Sequence, residues 1–204
     1  MAPVHVNLTS TAYAILGLLR ERSMHGYEIA QHFLPDADLG QVTPADMSTI
    51  YTFLKDLQEH GLIRGKRETV GARPPRTVFS PTEEAGPLFL DWVLRPVARI
   101  REVRSDFLLK LYFAQRLGPT AVKTLVTDQI ATCQNYLERQ HASVRSLEPT
   151  SFETIVSESK LTAAESVLAW LNRVAASAFI RKRSATPMSK RSPRKRKPKS
   201  GNAT

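Results

Sequence analysis

Between Leu8 and Gly61 the apolar residues recur at helical spacing in three short runs, and the chain then breaks into two strand-like runs around a turn of Gly and Pro. Leu8, Ala12, Ile15, Leu16 and Leu19 form the first run, with Thr9 or Ser10 as its cap. Tyr27, Ala30, Phe33 and Leu34 form the second, entered through His25-Gly26 and closed by Pro35. Met47, Ile50, Leu54 and Leu57 give the third helix one apolar face, and Gly61 stops it. It has two candidate starts, Thr43 with Pro44 behind it or Asp46, and we prefer Asp46. Strands follow at Leu62–Val70 and Arg76–Ser80. Thr82-Glu83-Glu84 then opens a fourth helix towards Trp92 and Leu94.

Three helices followed by a basic hairpin are the parts of a winged helix-turn-helix, whose third helix enters the DNA major groove while the hairpin touches the backbone or minor groove. With the apolar face of the third helix inward, Ser48, Thr49, Thr52, Lys55, Asp56 and Glu59 share the opposite arc. Hydroxyls stand at its start and acids further along, which suits entry by the amino-terminal end. Residues 64–76 carry Arg64, Lys66, Arg67, Arg73 and Arg76 against the single acid Glu68, so a projecting ribbon is favoured over an internal strand. The residues assigned to DNA are Ser48, Thr49, Tyr51, Thr52, Lys55, Arg64, Lys66, Arg73, Arg76 and Tyr27. The two tyrosines are read as part core and part phosphate contact, with core as the leading role. Gly26 is read as permitting close helix packing, and His25 and Trp92 as packing or capping groups.

Pro96 ends the fourth helix, and the arginine-rich stretch Arg95 to Arg104 marks a junction. Beyond it, Phe107 to Phe113 is apolar nearly all round a helix, Gly118-Pro119 ends that helix, and a longer one runs from about Thr120 to Leu147. Thr162-Ala163-Ala164-Glu165 has the spacing of a capping box, which places the start of a last helix there. Its seam, Leu161, Ala164, Leu168, Leu171, Ala175 and Ala178, alternates steps of three and four and calls for a partner surface. Leu161, Leu168, Leu171, Trp170, Val126 and Ile130 are therefore assigned to a two-fold homodimer, and such a dimer would read an inverted repeat. The expected architecture is mainly α: a winged helix-turn-helix with a two-stranded wing over residues 1–94, an all-helical dimerisation domain over 95–181, and a basic disordered tail over 182–204.

Charge sharpens the choice of partner. The chain has a formal net charge of +10, yet residues 181–204 hold ten Lys and Arg and no acid, so the body is formally neutral and the tail supplies the excess. Such a tail suits a non-specific electrostatic tether to double-stranded DNA. It also leaves open an architectural DNA-coating protein as the alternative to a sequence-specific regulator. Cys133 is the only cysteine, so neither an intrachain disulfide nor a zinc knuckle can form. No nucleophile and base, metal cluster or phosphate cradle stands at a recognisable spacing, and the expectation is a non-enzyme without cofactor or metal. Lacking a signal-like start or a membrane-length apolar run, the chain is expected in the cytoplasm and away from membranes.

Family resemblance agrees with this reading. Ala14-Ile15-Leu16-Gly17-Leu18-Leu19, Met24-His25-Gly26-Tyr27-Glu28-Ile29, Ile50-Tyr51 with Leu54 and Leu57, Gly61-Leu62-Ile63, Arg73-Pro74-Pro75-Arg76 and Thr82-Glu83-Glu84-Ala85-Gly86 stand in the order of the signatures of PadR transcriptional regulators. The match covers about residues 8–94. Phe107 to Phe113 and the helices after it resemble the carboxyl-terminal domain of the AphA-like branch, the virulence-activator type, whose helices form the dimer. The wing departs from the usual Gly-Arg-Pro by reading Ala72-Arg73-Pro74, and the basic tail is no part of the shared pattern. The resemblance implies a dimeric repressor responsive to a small-molecule effector, held in a cleft between domains or at the dimer interface.

Overall fold

The structure, a computed structural model, describes residues 8–69, 76–144 and 151–180. Seven α-helices and three strands follow one another as α1 (Ser10–Glu21), β1 (Met24–His25), α2 (Gly26–Gln31), α3 (Met47–Glu59), β2 (Ile63–Glu68), β3 (Arg76–Pro81), α4 (Ala85–Leu94), α5 (Asp106–Leu117), α6 (Pro119–Val144) and α7 (Phe152–Ile180), with a short 3₁₀ turn at Ile100–Arg104 before α5. The fold is mainly helical with a winged helix-turn-helix at its start, as the sequence pattern implies.

Local chemistry sets most of the boundaries. Thr9 caps α1 by accepting from the Ala12 amide at 3.3 Å, and Asp46 caps α3 by accepting from the Thr49 amide at 2.7 Å. Gly61, just past α3, takes φ 69°, a left-handed conformation that few other residues adopt cheaply. The second helix is shorter than its apolar spacing implies: it stops at Gln31, and His32 to Leu34 continue as turns, leaving Leu34 exposed. The sheet has three strands in the order β1-β3-β2, because Met24 and His25 pair antiparallel with Phe79 and Val78 on the free edge of β3. Two residues are too short a run for period-2 alternation to reveal.

The start of the last helix is corrected outright. α7 begins at Phe152, where Ser151 Oγ accepts from the Thr154 amide at 3.2 Å, so Thr162 to Glu165 lie inside the helix. Its seam also has a partner within the chain. Leu161 and Ala164 close on Leu137 of α6, while Val126 and Leu171 are fully enclosed in the main hydrophobic cluster. An unmatched seam is therefore no argument for a dimer, and Leu161, Leu171 and Val126 are core residues of one chain. Ile130, Leu168 and Trp170 are half-buried.

One cluster of buried side chains runs from α1 through the sheet and α4 into α5 and α6. Trp92 lies parallel to Tyr13, their centroids 4.8 Å apart, and Phe89 meets Phe113 edge-on at 5.4 Å, so aromatic rings join the first ninety-odd residues to the helices that follow. Trp92 is thus the packing group the sequence reading makes it. Arg116 of α5 adds an ion pair to Glu21 of α1 at 2.9 Å.

The connection leaving α4 is gripped by two buried polar side chains. In a continuing helix the Trp92 carbonyl would accept from residue 96, but Pro96 has no N–H. Lys110 Nζ supplies the donor, at 2.7 Å from the Trp92 carbonyl and 2.8 Å from that of Arg95, with the Trp92 ring 5.0 Å away. Burial pushes this ammonium down to a pKa of about 8. Gln129 of α6 pairs both ways with the backbone of Val97: its Oε1 accepts from the amide at 2.8 Å and its Nε2 donates to the carbonyl at 3.1 Å. Every buried side-chain polar atom among the described residues has a partner.

Candidate nucleic-acid interface

α3 presents the predicted arc to solvent. Ile50, Leu54 and Leu57 are buried, whereas Ser48, Thr49, Thr52, Lys55, Asp56 and Glu59 are all exposed. Met47, the first residue of α3, departs from the expectation and stands 40% exposed.

The hydroxyls along that arc already have internal uses. Ser48 Oγ donates to Asp46 Oδ1 at 3.0 Å, and Thr52 Oγ1 donates to the Ser48 carbonyl one turn back at 3.1 Å. The side chain and amide of Thr49, with the hydroxyl of Ser48, hold the Asp46 carboxyl below its ordinary pKa. What Ser48 and Thr52 keep facing outward is acceptor capacity, which fits a base-edge amino group such as adenine N6 or cytosine N4 and does not fit a phosphate. Lys55 pairs with Glu59 one turn on at 3.7 Å, so part of its charge is met within the helix.

The tyrosines are corrected from core to surface. Tyr27 is 61% and Tyr51 46% exposed. Gly26 makes room for one of them: a Cβ there would lie 2.8 Å from the Tyr51 ring, so the missing side chain lets that ring lie against the first residue of α2. The close packing expected of Gly26 is thus a contact with a tyrosine at the start of α3. Both phenols are exposed, each with a donor that phosphate can accept.

The register of the hairpin sorts its cations by face. Gly65 opposes Phe79, Lys66 opposes Val78, Arg67 opposes Thr77 and Glu68 opposes Arg76. Since alternate residues point to opposite faces, Arg64, Lys66 and Arg76 share the face away from the buried Ile63 and Phe79. Lys66 lies 3.8 Å from Glu68, and Arg64 and Arg76 have no ion pair among the described residues. Arg67 stands on the other face with Gly65, the face turned towards Gln58 of α3. The residues assigned to DNA from sequence omit Arg67, and only the strand register could have placed it beside the third helix. Arg73 and the basic tail lie outside the described residues.

No group of His, Cys, Asp or Glu among the described residues is arranged to hold a metal, and no described helix is long and apolar enough to cross a membrane. What the arrangement can do is lay an exposed helix face, two phenols and a strand pair with cations on both faces against a large polyanion.

Comparison with known proteins gives this geometry a lineage. Residues 15–87 match the transcriptional regulator PadR-like family, and residues 103–177 match the virulence activator alpha C-terminal family. The negative transcriptional regulator PadR of Bacillus subtilis is 30% identical over 174 residues, covering 80% of this chain and 94% of that protein. Among solved structures, Bacillus subtilis PadR in complex with operator DNA is 27% identical, covers 85% of this chain and 99% of its own, and superposes with a TM-score of 0.43. The same protein in complex with p-coumaric acid is 28% identical, with 84% and 99% coverage and a TM-score of 0.38. On a relationship that spans nearly the whole length of a 30% identical regulator, the chain belongs to the PadR-like family of transcriptional regulators.

Proposed function

We propose that the chain is a sequence-specific DNA-binding repressor that acts as a homodimer on an inverted-repeat operator. The observation that carries the reading is the amino-terminal half of α3: an exposed hydroxyl arc with the exposed Tyr51 beside it, on a helix whose opposite face is locked into the core by Ile50, Leu54 and Leu57. A rigid helix with a polar face free of buried contacts is what major-groove entry needs. Repression is supported by the relationship to a negative regulator. Pairing through the carboxyl-terminal helices is supported by Phe152 and Ile155, which stand 78% and 59% exposed at the start of α7.

Selection of bound sequences from a random DNA pool tests the reading directly. A palindrome with half-sites about 10 base pairs apart, or a multiple of that, is the expected product. Even coverage of all DNA in a footprint would instead mark an architectural coat.

Within that operator the roles of individual residues separate. Thr52→Ala is expected to cost about 1–3 kcal/mol at one base position and little elsewhere, because it removes an acceptor from the groove. Arg76→Ala is expected to weaken all sequences alike and to flatten the plot of log affinity against log salt by about 0.9 for each phosphate left without its cation. Binding profiles over single-base operator variants, repeated at several salt concentrations, read both effects. An unchanged base preference after Thr52→Ala would remove that side chain from the reading surface.

A further inference from the structure

An outward-facing acceptor does not read a base pair by itself. Adenine N6 and cytosine N4 both offer an amino group in the major groove, so the oxygens of Ser48 and Thr52 accept from either base. The thymine C5-methyl separates an A·T from a C·G pair, and it is the apolar group that base edges expose in that groove.

An apolar side chain stands next to those oxygens. Among the large hydrophobic residues exposed in the described structure, two lie on α3: Met47 and, one turn on, Tyr51. The Tyr51 ring lies against Gly26 and ends in a hydroxyl, which suits a phosphate. Met47 has no donor to offer, so its exposed surface calls for an apolar complement. It is the first residue of α3, beside Ser48, at the end of the helix that a winged helix-turn-helix puts into the groove. The backbone on either side of it is pinned. Asp46 Oδ1 accepts from the Thr49 amide at 2.7 Å and from the Ser48 hydroxyl at 3.0 Å, and the Ile50 amide donates to the Asp46 carbonyl at 3.1 Å. The side chain itself is unbranched and polarisable, and it adapts its shape to what it meets.

We propose that Met47 reads the 5-methyl group of one thymine in each operator half-site, so that the start of α3 selects an A·T over a C·G pair. The proposal rests on the regulator reading and goes beyond it by naming a residue and the atom it recognises. Its energy is that of taking one methyl group out of water, and the arc beside it supplies the hydrogen bond.

The full-length protein is first used to select its operator from a random pool. Each thymine of that operator is then replaced by deoxyuridine, which pairs identically and lacks only the methyl group, and affinities are measured for wild type, Met47→Leu and Met47→Gln. At one thymine per half-site, uracil is expected to weaken wild-type binding about fourfold, or about fifteenfold when both half-sites carry it. Met47→Leu should keep this methyl effect. Met47→Gln, of equal length and polar, should bind the thymine and uracil operators alike and keep the wild-type melting temperature, since the position is exposed. A recovered operator in which every uracil is silent would overturn the proposal alone, and so would a methyl effect that persists in Met47→Gln, because another side chain would then make the contact. A pool that yields no preferred sequence would overturn the regulator reading, and this proposal with it.

Discussion

Gly17→Val is expected to destabilise the chain by about 3 kcal/mol or more and to lower its melting temperature by about 10 °C. Gly17 lies in the middle of α1, and a Cβ built there would stand 2.5 Å from Cε1 of Phe113 and 2.7 Å from Cε2 of Phe89. Neither ring has room to retreat, since Phe113 is 2% exposed and also meets Tyr112 edge-on at 5.0 Å. The Ala variant makes the argument sharper. Helix propensity favours Ala over Gly by about 1 kcal/mol, so propensity alone predicts a more stable protein. Packing predicts the opposite sign. A thermal melt in which Gly17→Ala gains stability would show that α5 can move away from α1 at little cost.

Lys110→Met is expected to cost about 2 kcal/mol at neutral pH, because it leaves the Trp92 and Arg95 carbonyls without their side-chain donor while relieving the burial of a charge. The pH dependence separates these contributions. Folding lowers the lysine from its ordinary 10.5 to about 8, so the folded chain prefers the uncharged amine. A group depressed in this way contributes least stability below pH 8, where it is charged in both states, and gains as pH rises from about 8 towards 10.5. The amine still donates to both carbonyls. The stability difference between wild type and Lys110→Met, read from urea melts, should therefore widen across that window. A flat difference would mean that Lys110 carries the same charge folded and unfolded.

Both residues show what the sequence makes legible and what it hides. The start of α3 is readable because Asp46 satisfies an amide three residues away, and the end of α5 because Gly118 and Pro119 act on their own backbone. The start of α7 misleads for the same local reason: Thr162 to Glu165 have the spacing of a box wherever they stand, and spacing alone does not say whether helix already precedes them. The apolar bodies of the tyrosines point to the core, yet the space in which Tyr51 lies depends on a glycine in another helix. Lys110 and Gln129 are polar residues on helices, and no local spacing marks either as buried. Only the missing amide of Pro96 hints that a donor is required from elsewhere, and nothing local names which. The hydroxyl arc is legible as a face, but its back-bonding to Asp46 and to the Ser48 carbonyl, which leaves acceptors facing outward, depends on side-chain geometry that no spacing encodes.

The glycine in α1 and the lysine in α5 also bear on how such chains can be recombined. The matches to two families, at residues 15–87 and 103–177, invite treating the segments as cassettes, with one amino-terminal segment exchanged between different carboxyl-terminal helices. The contacts across the junction resist that. Phe113 fits only against a helix with no side chain at position 17, and an amino-terminal segment ending in a proline after α4 calls for a lysine from α5. A chimaera that joins segments from two relatives would inherit one half of each pair. Hybrid regulators built at this junction should therefore succeed when Gly17 travels with Phe113 and Pro96 with Lys110, and otherwise fail by unfolding before DNA recognition is ever tested.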